Sequence, residues 1–291
     1  MQTAVIGRDG TLAQANLRPP SSTARERRIS ARRKSRIIDI TSFLLLVAAL
    51  GWLVMRGAAG MGYNWQWFRM PRYLWRVIDG QLIWGPLMKG LFVTLQISAV
   101  ALVIALAIGL VTALLRLSSS LVGRAIARVY LEVIRNTPML VQALVFYFII
   151  AQVVGLNRFW SGVLCLAFYE GAFAAEIIRG GIVAVRRGQW EAARALGLKP
   201  FDIYRDVILP QALPLMLPPL AGVLVNLVKH SAIVSVIAVF DLTTEGRTIV
   251  ADTFMAFEVW LTVAGLYLLV TLSLSLMVLW LERRYGYAGH R

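Results

Sequence analysis

Glu170, Lys229 and His230 are ionisable residues set inside apolar runs, residues 160–178 and 220–240. A charge at the middle of a bilayer costs about 2.5–3.5 kcal/mol on insertion scales, so each needs a partner, water or a ligand. Gln142, Gln152 and Asn226 stand in similar surroundings, where an amide either lines a polar path or hydrogen-bonds one helix to another. Glu176 and Arg179 lie three residues apart at the end of the 160–178 run, spaced to pair, to gate a passage or to snorkel toward water. These groups make no catalytic or metal-binding constellation. His230 and His290 are far apart in sequence, and the single cysteine, Cys165, lies in an apolar run as a small hydrophobe. No G-x-x-x-x-G-K-[ST] phosphate loop occurs, so the chain by itself is not expected to use ATP.

The elements that carry these groups follow from composition. A chain of 291 residues that is 58% hydrophobic, with a mean hydropathy of +0.69, is too apolar for a soluble globule. Apolar runs of spanning length predict transmembrane helices at residues 37–54, 90–115, 138–155, 160–178, 220–240 and 257–281. The net charge of +15 could mark a nucleic-acid binder, but it sits in an N-terminal arm and in alternate loops, as the positive-inside rule expects of cytoplasmic segments. The arm, residues 1–36, carries nine Arg/Lys against Asp9 and Glu26 with no interleaved aromatics, and reads as a disordered cytoplasmic tail. Residues 116–135 and 179–206 are basic, and 241–256 are acidic, which places both termini inside. Arg56, Arg69, Arg72 and Arg76 oppose this topology, with only Asp79 to balance them on the outer side. Their segment is rich in tryptophan, and part of it is expected to lie flat on the outer surface as an amphipathic helix.

The loop between the fourth and fifth spans, residues 179–219, has its own design. Gln189 to Leu196 are helix formers, and Gly197 stands where a helix C-terminus prefers a left-handed residue. Ala192, Ala193 and Ala195 keep that helix's surface low for another protein. Pro200 suits the first turn of a second helix, with Phe201, Tyr204 and Ile208 on one face. Pro210, Pro214, Pro218 and Pro219 are expected to interrupt the hydrogen bonding on the way back to the bilayer.

Glu191-Ala192-Ala193, three residues, Gly197, nine residues, Val207, one residue and Leu209-Pro210 together resemble the EAA loop of binding-protein-dependent ABC importer permeases. Val207 in place of isoleucine is the only departure within the loop. Arg135-Asn136-Thr137-Pro138, Ala175-Glu176-Ile177, Arg179-Gly180-Gly181, Gly188-Gln189-Trp190 and Leu209-Pro210-Gln211-Ala212 resemble the polar amino acid branch, of the histidine and glutamine permease type. Asn136 stands where that branch often has glycine. Lys229-His230-Ser231-Ala232-Ile233 replaces its usual Lys-Asp-Thr-Ser-Leu, which bears on substrate preference more than on fold.

The resemblance implies an all-α polytopic membrane protein: a five-helix, MetI-like type I importer core over residues 90–285, preceded by one accessory helix and the Trp-rich segment (37–89). With residues 286–291 as a C-terminal tail, that makes six spans with both termini cytoplasmic. It implies a non-catalytic permease subunit in the bacterial inner membrane, importing a polar or charged amino acid by ATP-driven alternating access. Its partners would be a cytoplasmic ATPase dimer holding ATP and Mg, a second identical or homologous permease chain, and an extracytoplasmic solute-binding protein. Gln189, Trp190, Glu191, Ala192, Ala193, Gly197, Leu209 and Pro210 would form the ATPase-coupling surface. Glu170, Lys229, His230, Gln142 and Asn226 would line the translocation cavity, and Glu176 with Arg179 would form a cytoplasmic gate. The alternatives are a Lys229–Glu170 ion pair or contact between subunits, and, for the chain as a whole, an ion-gradient carrier or channel, which leaves the 179–219 design unexplained.

Overall fold

Ser118 closes one long helix and Ser120 opens the next, and Asn157 and Asp241 cap the starts of later helices in the same way. The computed structural model describes residues 40–285 other than 54, 58, 59, 61 and 238. The tails at 1–36 and 286–291, with His290, lie outside the described residues. The chain divides into two compact units, Met1–Trp65 and Gln66–Arg291. In the first, helix α1 (Ile40–Gly57) has a mean hydropathy of 1.8, long and apolar enough to cross a membrane. The Arg56 guanidinium lies 5.1 Å from the centroid of the Trp52 ring.

The second unit begins with a 3₁₀ turn (Trp67–Arg69), one helical turn, α2 (Pro71–Leu74), and an antiparallel hairpin of β1 (Trp75–Ile78) and β2 (Gln81–Trp84). The amphipathic helix expected in this region is therefore replaced by a hairpin. Asp79 (φ 51°) and Gly80 (φ 75°) form its two-residue turn, because Asp-Gly tolerates two successive positive φ angles.

The helices that follow are α3 (Pro86–Leu117), α4 (Leu121–Asn136), α5 (Met139–Val154), α6 (Arg158–Ala184), α7 (Arg187–Ala195), α8 (Pro200–Ile237), α9 (Leu242–Thr253) and α10 (Ala256–Tyr285). Five helices, α1, α3, α6, α8 and α10, are long and apolar enough to cross a membrane, and α4 with α5 makes a sixth if that pair, bent by 110°, is one span. Residues 116–135, read as a loop, are thus largely a helix. Ser120 Oγ caps α4 by accepting from Gly123 N at 3.0 Å, and Pro138 holds Thr137 extended (φ −111°, ψ 133°), which ends it.

The core is built on close approach. Ala101, Ala105, Gly109 and Ala113 recur every fourth residue on α3, all buried: Ala101 and Ala105 in the cluster with Leu166 and Ala167 of α6, Gly109 against Ala174, and Ala113 in the cluster with Ile178 and Ile182. A Cβ on Gly109 would lie 2.8 Å from the Ala174 Cβ and 3.0 Å from Ala175 N, so only glycine lets the two helices touch there. Where hydrophobic burial offers little between helices in lipid, such small-residue packing supplies the adhesion. Ile97, Leu166, Val223, Leu227 and Val234 fill the centre among α3, α6 and α8.

The prolines do not break α8. It runs through Pro214, Pro218 and Pro219, and the turn before Pro210, Ile203–Ile208, is a π-helix. A π turn reorganises the backbone hydrogen bonds where the Pro210 ring and missing N–H would otherwise disrupt them.

Candidate functional site

The loop helix α7 ends in a complete Schellman motif. Gly197 has φ +72°, its N–H donates to Arg194 O at 3.0 Å, and Leu198 N donates to Ala193 O at 3.3 Å. On the outer side of this helix, Gln189, Ala192 and Leu196 are exposed, and Glu191 pairs with Arg187 at 3.0 Å. On its inner side Trp190 meets the Tyr204 ring edge-on at 5.2 Å, and Ala193 is 2% exposed among Ile182, Val185, Ile203, Ile208, Ala212 and Met216. Ala193 thus spends its small size on its own chain, letting α7 lie against α6 and α8, while Ala192 and Ala195 stay on the surface. Phe201 also departs from its expected face, at 70% exposure. The π turn adds a residue, so a 3.6-residue period does not carry across it, and Ile203 joins Ile208 inside. Leu209 is half-buried, and Pro210 is exposed beside Gln211, whose amide reaches Gln189 Oε1 at 3.5 Å. Leu196 and Phe201, two exposed apolar side chains flanking the Gly197 bend, belong to this surface although the sequence reading did not place them there.

Above this surface α6 and α8 hold the membrane-embedded polar groups. Glu176 is the hub of an ion cluster. It accepts from Arg179 Nε at 3.1 Å and Nη2 at 3.0 Å, pairs with Arg135 at 3.6 Å, and hydrogen-bonds Arg116. The expected Glu176–Arg179 pair is present; Arg116 and Arg135 come from α3 and α4, beyond the reach of local spacing. Glu176 also lines a cavity of about 640 Å³ among α6, α8 and α10, whose other polar side chains are Asn226 and Ser275.

One turn further along α8, His230 Nδ1 lies 2.7 Å from Glu170 Oε1. Glu170 is 1% exposed, and its second oxygen has no hydrogen-bond partner among the described residues. Tyr169 stands edge-on to the His230 ring at 5.4 Å. Lys229 does not join Glu170; it is exposed, without an ion pair among the described residues, because adjacent helical residues point about 100° apart. Gln142 is in a different place again. Its amide donates to Ile134 O at 2.7 Å and Thr137 O at 2.8 Å, holding the α4–α5 bend beside a separate cavity of about 500 Å³.

At the opposite end of the bundle Asp241, fully buried, caps α9 by accepting from Thr244 N at 2.9 Å and Thr243 N at 3.2 Å. Burial pushes its carboxyl above the usual range, against the lowering effect of these donors and of Tyr267. Burial raises Glu245 as well, where nearby Lys89 lowers it and Asp241 raises it further.

Residues 105–287 match the family model described as the binding-protein-dependent transport system inner membrane component. The chain is 38% identical over 212 residues to the glutamine transport system permease protein GlnP of Escherichia coli K12, covering 71% of this chain and 97% of that one. It is 37% identical over 198 residues to the probable glutamine ABC transporter permease protein GlnM of Bacillus subtilis, covering 68% and 92%. Among solved structures, the crystal structure of an amino acid ABC transporter with histidines superposes with a TM-score of 0.68 at 38% identity, covering 76% of this chain and all of that one.

Proposed function

Because the chain belongs to the family of binding-protein-dependent transport system inner membrane components, we propose that it is the permease subunit of an ABC importer for a polar amino acid, with glutamine the first solute to test. The observation that carries this reading is the build of α7. It is capped, locked by Trp190 and Ala193, and set between α6 and α8, the two spans that hold Glu170, Glu176, Asn226 and His230. A rigid helix on that lever moves both spans when an ATPase pushes on Gln189, Glu191, Ala192 and Leu196, and two-state rearrangements travel through packed elements of this kind.

In this reading ATP and Mg sit on a separate cytoplasmic ATPase, a solute-binding protein delivers the amino acid, and the complex resides in a bacterial inner membrane. The Glu170 carboxylate, with one oxygen unpaired among the described residues, accepts from the solute's ammonium or amide group, and His230 holds the other oxygen. Lys229 needs a partner at its depth, which a second permease chain or the solute's carboxylate supplies. The Glu176 cluster acts as the inner gate. The test is uptake of labelled glutamine into vesicles holding this chain, its ATPase and its binding protein, with Mg-ATP enclosed. Uptake by this chain alone, driven by an ion gradient, would refute the reading.

A further inference from the structure

The hairpin Trp75–Trp84 takes no part in the reading above. Its register puts Trp75 opposite Trp84 and Val77 opposite Leu82 on one face, with Arg76 opposite Ile83 and Ile78 opposite Gln81 on the other. The four side chains of the first face, all large and apolar, are exposed by 48%, 43%, 68% and 55% in that order, while the reverse face mixes the exposed Ile78 and Ile83 with Arg76 and Gln81. Two adjacent cross-strand pairs of large apolar side chains make a face that sheets normally bury, and a lone two-stranded hairpin is marginal in water.

The hairpin is nevertheless firmly placed. Met70 and Tyr73, just before it, are buried with Leu87, Leu242, Met255 and Val259. Gly85 N donates to Leu74 O at 2.8 Å, and Gln66 N donates to Glu258 Oε1 at 2.6 Å. Only Gly85 separates β2 from α3, so the hairpin stands at the mouth of a span, at the end opposite α7, which packs near Leu117.

Two observations identify what covers the face. The first is continuity: the Trp84 ring lies edge-on to Phe92 at 6.0 Å, and Phe92 begins an exposed stripe on α3 that, after the polar Gln96, is apolar through Ala99, Val103, Ala107, Leu110 and Leu114. Such a stripe on a spanning helix is where acyl chains lie, and tryptophans gather at its ends. The second is charge: between residues 66 and 85, Arg69, Arg72 and Arg76 face only Asp79. Arg76 sits on the reverse face, its Nε donating to Arg72 O at 3.1 Å, at the height of lipid phosphates if the apolar face lies down.

We propose that the hairpin is a membrane-interface element, with Trp75, Val77, Leu82 and Trp84 resting in the acyl–headgroup boundary of that leaflet and Arg76 set against anionic phospholipid. The single native cysteine, Cys165, is 2% exposed, which allows a reporter thiol to be placed at will. Val77→Cys and Leu82→Cys report on the apolar face and Gln81→Cys on the reverse, each labelled with a polarity-sensitive fluorophore. The full chain is reconstituted with its complex in phosphatidylethanolamine–phosphatidylglycerol vesicles. The expected result is several-fold stronger quenching of Val77→Cys and Leu82→Cys by lipid-borne nitroxide than by aqueous iodide, and the reverse order for Gln81→Cys. Iodide access to the apolar face equal to that of Gln81→Cys overturns the proposal. So does shielding of that face from both quenchers, which means a protein cover, or iodide access lost only when the loaded solute-binding protein is added.

Discussion

Replacing Gly197 tests whether α7 is a coupling element whose geometry depends on its C-terminal cap. Gly197 has φ +72°, and a Cβ added there meets nothing within 4 Å, so any cost is backbone strain and not a clash. The left-handed conformation costs an ordinary L-residue about 1–2 kcal/mol, least for asparagine or aspartate and most for a β-branched residue. A helix of nine residues has little stability of its own, so this strain falls on the two cap bonds from Gly197 and Leu198. A loss of 1–2 kcal/mol lowers the ratio of capped to uncapped loop by roughly 5–30-fold. The expected series in solute-stimulated ATP hydrolysis by the reconstituted complex is wild type, then Gly197→Asn, Gly197→Ala and Gly197→Val, with Val lower by about that factor. Membrane insertion of all three variants should be unchanged, since the residue is exposed and outside the spans. Coupled hydrolysis in Gly197→Val equal to wild type, or a loss in Gly197→Asn as large as in Val, would refute the reasoning.

Three further outcomes follow from particular contacts. Glu176→Gln leaves Arg116, Arg135 and Arg179 together without their carboxylate; because the carboxylate is 26% exposed, the cost is nearer about 1–2 kcal/mol than that of a fully buried pair, and a lower unfolding temperature in detergent should report it. His230→Ala deprives buried Glu170 of its hydrogen bond, destabilising by about 1–3 kcal/mol, while His230→Gln, which keeps a donor, should recover most of the unfolding temperature. Asp241 has a raised folded pKa, so its contribution to stability is complete below about pH 3.9 and is lost as pH rises through the raised value. Asp241→Asn should therefore compare better with wild type at pH 7 than at pH 4 in thermal unfolding, and an equal difference at both would contradict burial as the dominant influence.

Patterns that depend on local chemistry were legible in the sequence. Five of the six apolar runs located spanning helices, the run at 138–155 qualifying only together with α4, while the helix formers before Gly197 located α7 and its cap, and the triplet spacing from Glu191 to Pro210 identified the family. The Asp79-Gly80 turn and the every-fourth-residue run of Ala101, Ala105, Gly109 and Ala113 were equally present, and each now marks a feature, the hairpin and the α3–α6 contact, that hydropathy alone passes over. Phe201 lies off the face that a 3.6-residue period gives it because the turn that follows, Ile203–Ile208, is not α-helical.

By itself the chain determined that it is a polytopic helical membrane protein with a structured loop between its fourth and fifth spans, since apolar length, charge bias and cap chemistry act within a few residues. Which polar groups meet was decided by the tertiary structure. Glu170 takes His230 and not Lys229, and Glu176 gathers arginines from three helices. Gln142 holds a bend apart from the cavity that Asn226 lines. The physical reason is rotational: a helix turns about 100° per residue, so neighbours in sequence diverge, and partners are chosen by the facing of helices whose contact is set by small residues far away in the chain.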